Sequence, residues 1–167
     1  MSQAEAAAIA RGAGKWGRPD FPHFGWVAER IEYRPTVCEM CERQHIRYVH
    51  VMRHPEVAGT LACGNVCASR MTGDAEETNK REATLRTDRK RHKQFFHGTW
   101  IRKRRDVSET RTGGYLVSVF YSDFMDHEGW RASVEKGEER TPLGPFRTSV
   151  EAKQAAWDCV ERLRAAQ

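Results

Sequence analysis

The sequence predicts an α+β protein: a small cysteine-held module, then a long basic helix, then a small antiparallel sheet packed on a C-terminal helix. Three observations predict this. Cys38 and Cys41 stand two residues apart and Cys63 and Cys67 three apart, with 21 residues between the pairs. Eleven basic residues crowd the segment Asn79–Arg105 against only Glu82 and Asp88. The last third strings β-branched and aromatic runs between polar turns and closes on an alanine-rich amphipathic pattern.

Residues 1–20 are expected to form a flexible arm, because Gly12, Gly14, Gly17 and Pro19 interrupt any helix that the leading alanines begin. Met1 to Ala10 is polar and alanine-rich, without the apolar core of a signal peptide. No run approaches membrane-spanning length. A cytoplasmic chain with no membrane contact is therefore expected, and its thiols should stay reduced rather than pair as disulfides.

Residues 21–71 read as the cysteine module, entered through Phe21-Pro22-His23-Phe24-Gly25-Trp26. Cys38–Cys41 forms a tight knuckle. Ile46–Met52 is a strand, Arg53–Gly59 its turn, and Thr60–Ala62 the return. The second pair straddles Gly64-Asn65 and leads into a helix-compatible stretch. Thiolates at this spacing suit a tetrahedral Zn²⁺, and knuckle, hairpin and helix start follow in the order of a treble-clef finger. The expected ligands are Cys38, Cys41, Cys63 and Cys67. Because the second pair is one residue wider than the commonest spacing, His45, His50 and His54 stay open as substitutes for Cys63. A four-ligand site has no open position, so the metal is expected to be structural. Cys159, remote from the others on an amphipathic pattern, is read as a small core residue.

Residues 72–112 are assigned to a basic helix and linker, with one long helix over residues 74–105. Asp74 is the expected N-cap, with Glu77 three residues on as in a capping box, and Gly98 should end or bend the helix. The cations are Lys80, Arg81, Arg86, Arg89, Lys90, Arg91, Lys93, Arg102, Lys103, Arg104 and Arg105. The segment carries +9, which leaves −4 for the rest of a chain whose total is +5. Such concentrated charge is what a phosphate backbone attracts. Phe95, Phe96 and Trp100 interrupt the run. Planar residues of this kind stack on unpaired bases or anchor a charged helix to the body of the protein, and anchoring is the expectation here.

Residues 113–167 are expected to form a ββ(β)α module. Gly114–Tyr121 and Trp130–Glu135 are strands around a polar turn over Asp123–Glu128, and Pro145–Arg147 is a short third strand. Thr148 caps the closing helix with Glu151 three residues on. Ala152, Ala156, Cys159, Val160 and Leu163 recur at helical spacing and should face the sheet. The 167 residues are 39 % apolar and 31 % charged, enough for a modest or divided core, to which a metal adds where apolar burial is scarce.

Two resemblances follow from these residues. Through the strand Gly114–Tyr121, the strand start Gly129-Trp130 and Phe146-Arg147-Thr148 leading into an alanine-rich helix, residues 113–167 resemble the three-strand-plus-helix DNA-binding domains of phage integrases and plant AP2-type factors, which implies a sheet face that reads DNA. That face would offer Arg131, Ser133 and Glu135, or Tyr115, Val117 and Val119, depending on register. Over most of the chain, Phe21-Pro22-His23-x-Gly25-Trp26, Cys38-x-Met40-Cys41, Arg47-Tyr48-Val49-His50-x-Met52-x-His54-Pro55 and Gly64-x-Val66-Cys67-Ala68 look like a family of uncharacterised bacterial proteins. That likeness implies a zinc module and no activity. The family often carries a cysteine where this chain has Asn65, a role Cys63 would take over.

The expected function is nucleic-acid binding, to DNA or RNA, by a zinc-stabilised protein without catalysis. An HNH-like nuclease shares the treble-clef frame, and His50 sits in the neighbourhood of its catalytic histidine. Its usual metal-binding histidine on the helix is replaced by Ala68, and Ser69, Arg70 and Met71 supply no substitute. A zinc-organised adaptor for a protein partner is the third class, distinguished by a shallow dependence of binding on salt.

Overall fold

The structure, a computed structural model, describes residues 12–123 and 128–166. It is mixed α+β, with two antiparallel sheets and three α-helices among the described residues. The chain divides into two compact units, residues 1–88 and 89–167. No helix in the described residues is long and apolar enough to cross a membrane.

In the first unit, β1 (Val27–Val37), β2 (His45–Arg53) and β3 (Thr60–Cys63) form one sheet in that order. The expected hairpin is present: β2 pairs β3 from His50–Cys63 to Arg53–Thr60. Helix α1 (Asn65–Thr72) follows at once and stops at Gly73, whose φ of 73° is the left-handed conformation that favours glycine at a helix end. Trp26 is buried at the centre of this unit with Met40, Met52, Leu61, Ala68 and Met71. Its backbone N–H donates to Met71 O at 3.2 Å and its indole to Pro22 O at 2.9 Å. The aromatic entry segment is thereby pinned to both hairpin and helix. Strand β1 lies outside the sequence expectation. Glu29, Arg30, Glu32 and Arg34 break its apolar alternation, and Pro35 sits in a run that bulges between Tyr33 and Thr36. An edge strand tolerates both features, and cross-strand ions such as Arg53–Glu29 at 3.1 Å take the place of apolar pairs.

Helix α2 (Ala75–His97) starts where expected: the Glu77 N–H donates to Asp74 Oδ1 at 2.9 Å. It ends one residue before Gly98, so the helix expected to reach residue 105 is shorter. The chain instead enters β4 (Ile101–Arg104) and β5 (Val107–Thr112), antiparallel strands of the second sheet. Positive charge hid β4, and the alternation Val107-Ser108-Glu109-Thr110 was absorbed into the supposed linker.

The second sheet continues through β6 (Tyr115–Ser122), β7 (Gly129–Lys136) and β8 (Glu139–Phe146), a meander of five strands where two or three were expected. Pro142, Gly144 and Pro145 masked β8, which lies at the sheet edge where such residues are admitted. Most of the polar turn expected over Asp123–Glu128 falls on residues 124–127, outside the described residues. Helix α3 (Ser149–Ala165) opens with the full capping box: the Glu151 N–H donates to Thr148 Oγ1, and the Glu151 carboxylate accepts from the Thr148 N–H. Its face of Ala152, Ala156, Cys159 and Val160 is buried with Tyr115, Val117, Val119, Ala132 and Val134. The alternation on β6 and β7 settles the register. Tyr115, Val117 and Val119 turn to this core, so Arg131 and Glu135 belong to the opposite face.

Trp157 also belongs to this core and was missed, because its position widens the helix face beyond the alanine stripe. It lies 5.3 Å from the ring centres of both Phe95 and His92. Trp157→Ala should cost about 3–5 kcal/mol, read as a lower midpoint in chemical denaturation; a change of less than about 1 kcal/mol would show that the site refills.

Candidate metal centre

Backbone geometry builds the site from three elements. The knuckle turns tightly: the Glu42 N–H donates to Cys38 O at 2.7 Å and the Cys38 N–H to Gln44 O at 2.8 Å. Glu42 holds a left-handed φ of 56° there, a conformation uncommon for a residue other than glycine. Its carboxylate takes the Lys15 ammonium at 2.8 Å, and that contact holds its pKa below the usual carboxylate range. The hairpin brings Cys63, the last residue of β3, beside the knuckle, and the first turn of α1 brings Cys67.

Cys38, Cys41 and Cys67 are buried, with sulfurs all within 4.8 Å of one another. Cys63, fully buried, contacts Cys38 but lies outside that mutually close group. No histidine belongs to the group. His54 Nδ1 accepts from the Glu56 N–H at 3.2 Å within the hairpin turn, and its ring packs on Trp26. His50 is turned to Glu82, and His45 is exposed.

The thiols polarise one another. Hydrogen bonds from the Cys63 and Cys67 thiols, with further ones from the Cys41 and Gly64 N–H groups, lower the Cys38 pKa to about 2. The partners pay in the opposite direction: hydrogen bonding to the Cys38 thiolate, then burial and its negative charge, push Cys63 and Cys67 far up. The Gly64 N–H, at the N-cap of α1, approaches Cys38 Sγ at 3.5 Å, and the Trp16 indole donates to Cys67 Sγ at 3.4 Å. Buried sulfurs this close repel once more than one is ionised, and a cation removes that repulsion. The donor set therefore fits a metal ion, and three cysteines could hold one.

The arm expected over residues 1–20 divides. Residues 1–11 lie outside the described residues. From Gly12 onward the chain is laid on the knuckle: Gly14–Gly17 is a 3-10 turn, the Lys15 N–H donates to Met40 O at 2.9 Å, and Ala13 is buried. The alanines whose helix the turn signals were expected to break lie outside the described residues, and the Trp16 and Lys15 anchors were not anticipated. Gly14, at φ 59°, comes so near that a Cβ there would sit 2.7 Å from the Cys41 carbonyl carbon. Gly14→Ala should therefore lower stability by about 1–3 kcal/mol, measured by denaturation with the metal content followed in parallel. A neutral result would mean that this strap lifts freely from the knuckle.

A cavity of about 320 Å³ adjoins the centre, lined in part by Cys38, Cys41, Cys67, Tyr48, Glu82 and Arg86. Glu82 is 6 % exposed. Its Oε2 lies 3.4 Å from Nε2 of the fully buried His50, and its Oε1 accepts from Arg86 Nε at 2.9 Å and from a second Arg86 nitrogen. Burial opposes the charge of Glu82, but the hydrogen bonds from His50 and Arg86 outweigh it and hold the pKa below the ordinary value. Arg86 in turn lies over the Tyr48 ring at 4.7 Å. His50 Nδ1 is buried with no hydrogen-bond partner among the described residues. Sequence reasoning placed His50 near a possible site but missed Glu82, which read as one of two acids opposing a basic run.

The eleven cations fall on different structures. Lys80 to Lys93 lie on α2, Arg102 to Arg104 on β4, and Arg105 on the turn beyond. Arg81 pairs with Glu77 at 2.8 Å and donates to Ala28 O, and Arg91 meets Glu161 at 3.2 Å. Arg102 folds back on the Arg105 carbonyl at 2.7 Å. Lys80, Arg89, Lys90, Lys93, Lys103, Arg104 and Arg105 are exposed. The aromatics of the run are anchors, as expected: Phe95 is 2 % exposed, and Trp100 donates to its carbonyl at 2.8 Å.

The fold and centre define a class: a mixed α+β protein with a buried cysteine cluster able to hold a metal ion. Comparison with protein families, with curated proteins and with solved structures finds no match to the chain.

Proposed function

We propose that this is a zinc-stabilised nucleic-acid-binding protein in which the metal is structural and the cations around α2 and β4 meet phosphates. Zinc suits an all-sulfur donor set better than hard cations do, since thiolate is the softer ligand. Cys63 is the proposed fourth ligand, because it is fully buried, the Glu39–Ala62 and Gly64–Cys38 contacts on either side of it hold the end of β3 beside the knuckle, and no histidine belongs to the group. Knuckle, hairpin and helix follow one another as in a treble-clef finger.

One observation carries the nucleic-acid reading: in the second unit Lys90, Lys93, Arg104 and Arg105 stay exposed while the aromatics between them are drawn into the core. Charge left at the surface is available to a polyanion, and counterion release would drive the binding. The nuclease alternative has less support, because His50 is 0 % exposed and engaged by Glu82. The test is binding of the purified protein to single- and double-stranded DNA and RNA across a range of salt. Affinity should fall steeply, with log K linear in log salt. A shallow slope with retained affinity for a protein partner would replace this reading with the adaptor.

A further inference from the structure

The cavity beside the cysteines has a chemistry of its own. Its walls include the apolar side chains of Ile46 and Val66 and the stacked pair Tyr48–Arg86. Gln44 also lines it, and the Gln44 side-chain amide has no hydrogen-bond partner among the described residues. Arg47, exposed on β2, lines it as well and has no ion-pair partner among them. Glu82 closes one side with a carboxylate fixed by His50 and Arg86.

These groups are complementary to one kind of ligand. An aromatic ring and a guanidinium plane offer faces on which a flat heterocycle stacks. A carboxamide both donates and accepts, which is what the edge of a nucleobase requires, and a carboxylate accepts from an exocyclic amino group. A nearby cation without an acidic partner suits a phosphate. At about 320 Å³ the space is at the small end of ligand pockets, a size that suits one planar base.

We propose that this cavity takes one unpaired base of a single-stranded nucleic acid, packed against the stacked pair Tyr48–Arg86, read at its edge by Gln44 and Glu82, with Arg47 on the adjoining phosphate. The proposal rests on the nucleic-acid reading above and adds a preference that exposed cations alone do not create. A duplex keeps its bases stacked inside and offers the cavity nothing. A base with an exocyclic amino group gains the Glu82 carboxylate as acceptor, whereas uracil or thymine does not.

The experiment compares a labelled single strand of about twelve nucleotides with the duplex of the same sequence, at one moderate salt, on wild type, Tyr48→Ala and Gln44→Ala. Metal content and near-UV circular dichroism confirm that each variant is folded. Tyr48→Ala should weaken single-strand binding about tenfold and leave the duplex within about twofold, and Gln44→Ala should act in the same direction. A mixed strand should outbind oligo-dT or oligo-U. Equal losses on strand and duplex, or no loss on either, would overturn the base pocket while leaving phosphate binding in place. Wild type that binds neither nucleic acid at low salt would overturn the nucleic-acid reading itself. Should Tyr48→Ala not fold, Gln44→Ala decides, because its backbone contacts to the knuckle do not depend on the side chain.

Discussion

Cys38→Ser is expected to release the metal and to unfold the hairpin and helix of residues 1–88. Cys38 is the hub of the centre: it contacts the thiols of Cys63 and Cys67 and receives the Gly64 N–H at 3.5 Å. Its loss removes a ligand from the buried sulfur group, because a serine hydroxyl is a far poorer ligand for a soft metal than a thiolate. Structural zinc contributes about 10–16 kcal/mol of apparent binding energy in isolated fingers, against a total stability of about 5–15 kcal/mol for an ordinary domain. The apolar part of this unit is small and built largely from the cysteines themselves with Trp26 and three methionines. It is not expected to hold without the ion. The measurement is metal content together with hydrogen exchange. Amides of β2 and β3 should lose protection, while those of β6 and β7, in the other unit, keep theirs. Chelation of the wild-type protein should reproduce the pattern. Metal-free protein with a fully protected β2–β3 pair would remove the metal from the account of stability. Cys159→Ser is the matched control: its sulfur is buried in the second core, 2 % exposed, and its replacement should leave metal content unchanged.

What the sequence disclosed and what it concealed follow from where each element spends its side chains. The β2–β3 hairpin was legible because Val49, Val51, Leu61 and Ala62 are apolar and buried, and because Arg53–Gly59 is rich in turn residues. The closing helix was legible through Thr148 and Glu151, whose capping contacts depend on local spacing alone. Strands β1, β4 and β5 were not legible, and of β8 only the end at Pro145 and Phe146 was expected. β1, β4 and β8 are edges, and edges carry charge and proline that interior strands exclude; β5 is interior, and its polar alternation read as linker. The centre was half legible. Spacing brought Cys38, Cys41 and Cys67 together on paper as the fold does in space. It could not show that Trp16, 51 residues away from Cys67, would donate to its sulfur. Nor could it show that Glu82, one of only two acids in the basic run, would turn inward to His50, because that contact joins a strand and a helix 32 residues apart.

The second large effect is expected on nucleic-acid binding, from replacing Lys90, Lys93, Arg104 and Arg105 together with Gln. These four are exposed in the second unit, and glutamine keeps much of their length and hydrogen-bonding capacity, so the fold should be spared. Arg81, Arg86 and Arg91 are deliberately left alone. Each is held by an acid, respectively Glu77, Glu82 and Glu161, and replacing them would confuse lost binding with lost structure. If each of the four meets one phosphate, the slope of log K against log salt should become shallower by about 0.9 per contact on a duplex, or roughly 3.6 in all. At low salt that corresponds to a loss of several powers of ten in affinity. The slope is the more telling readout, since a variant that had merely loosened would lose affinity without a change of slope. An unchanged slope would take these cations out of the interface and shift attention to the cavity of the first unit. There Arg47, alone of the arginines lining that wall, has no acid holding it among the described residues. A shallower slope with the single-strand preference intact would mean that phosphate attraction and base recognition are carried by separate groups of residues.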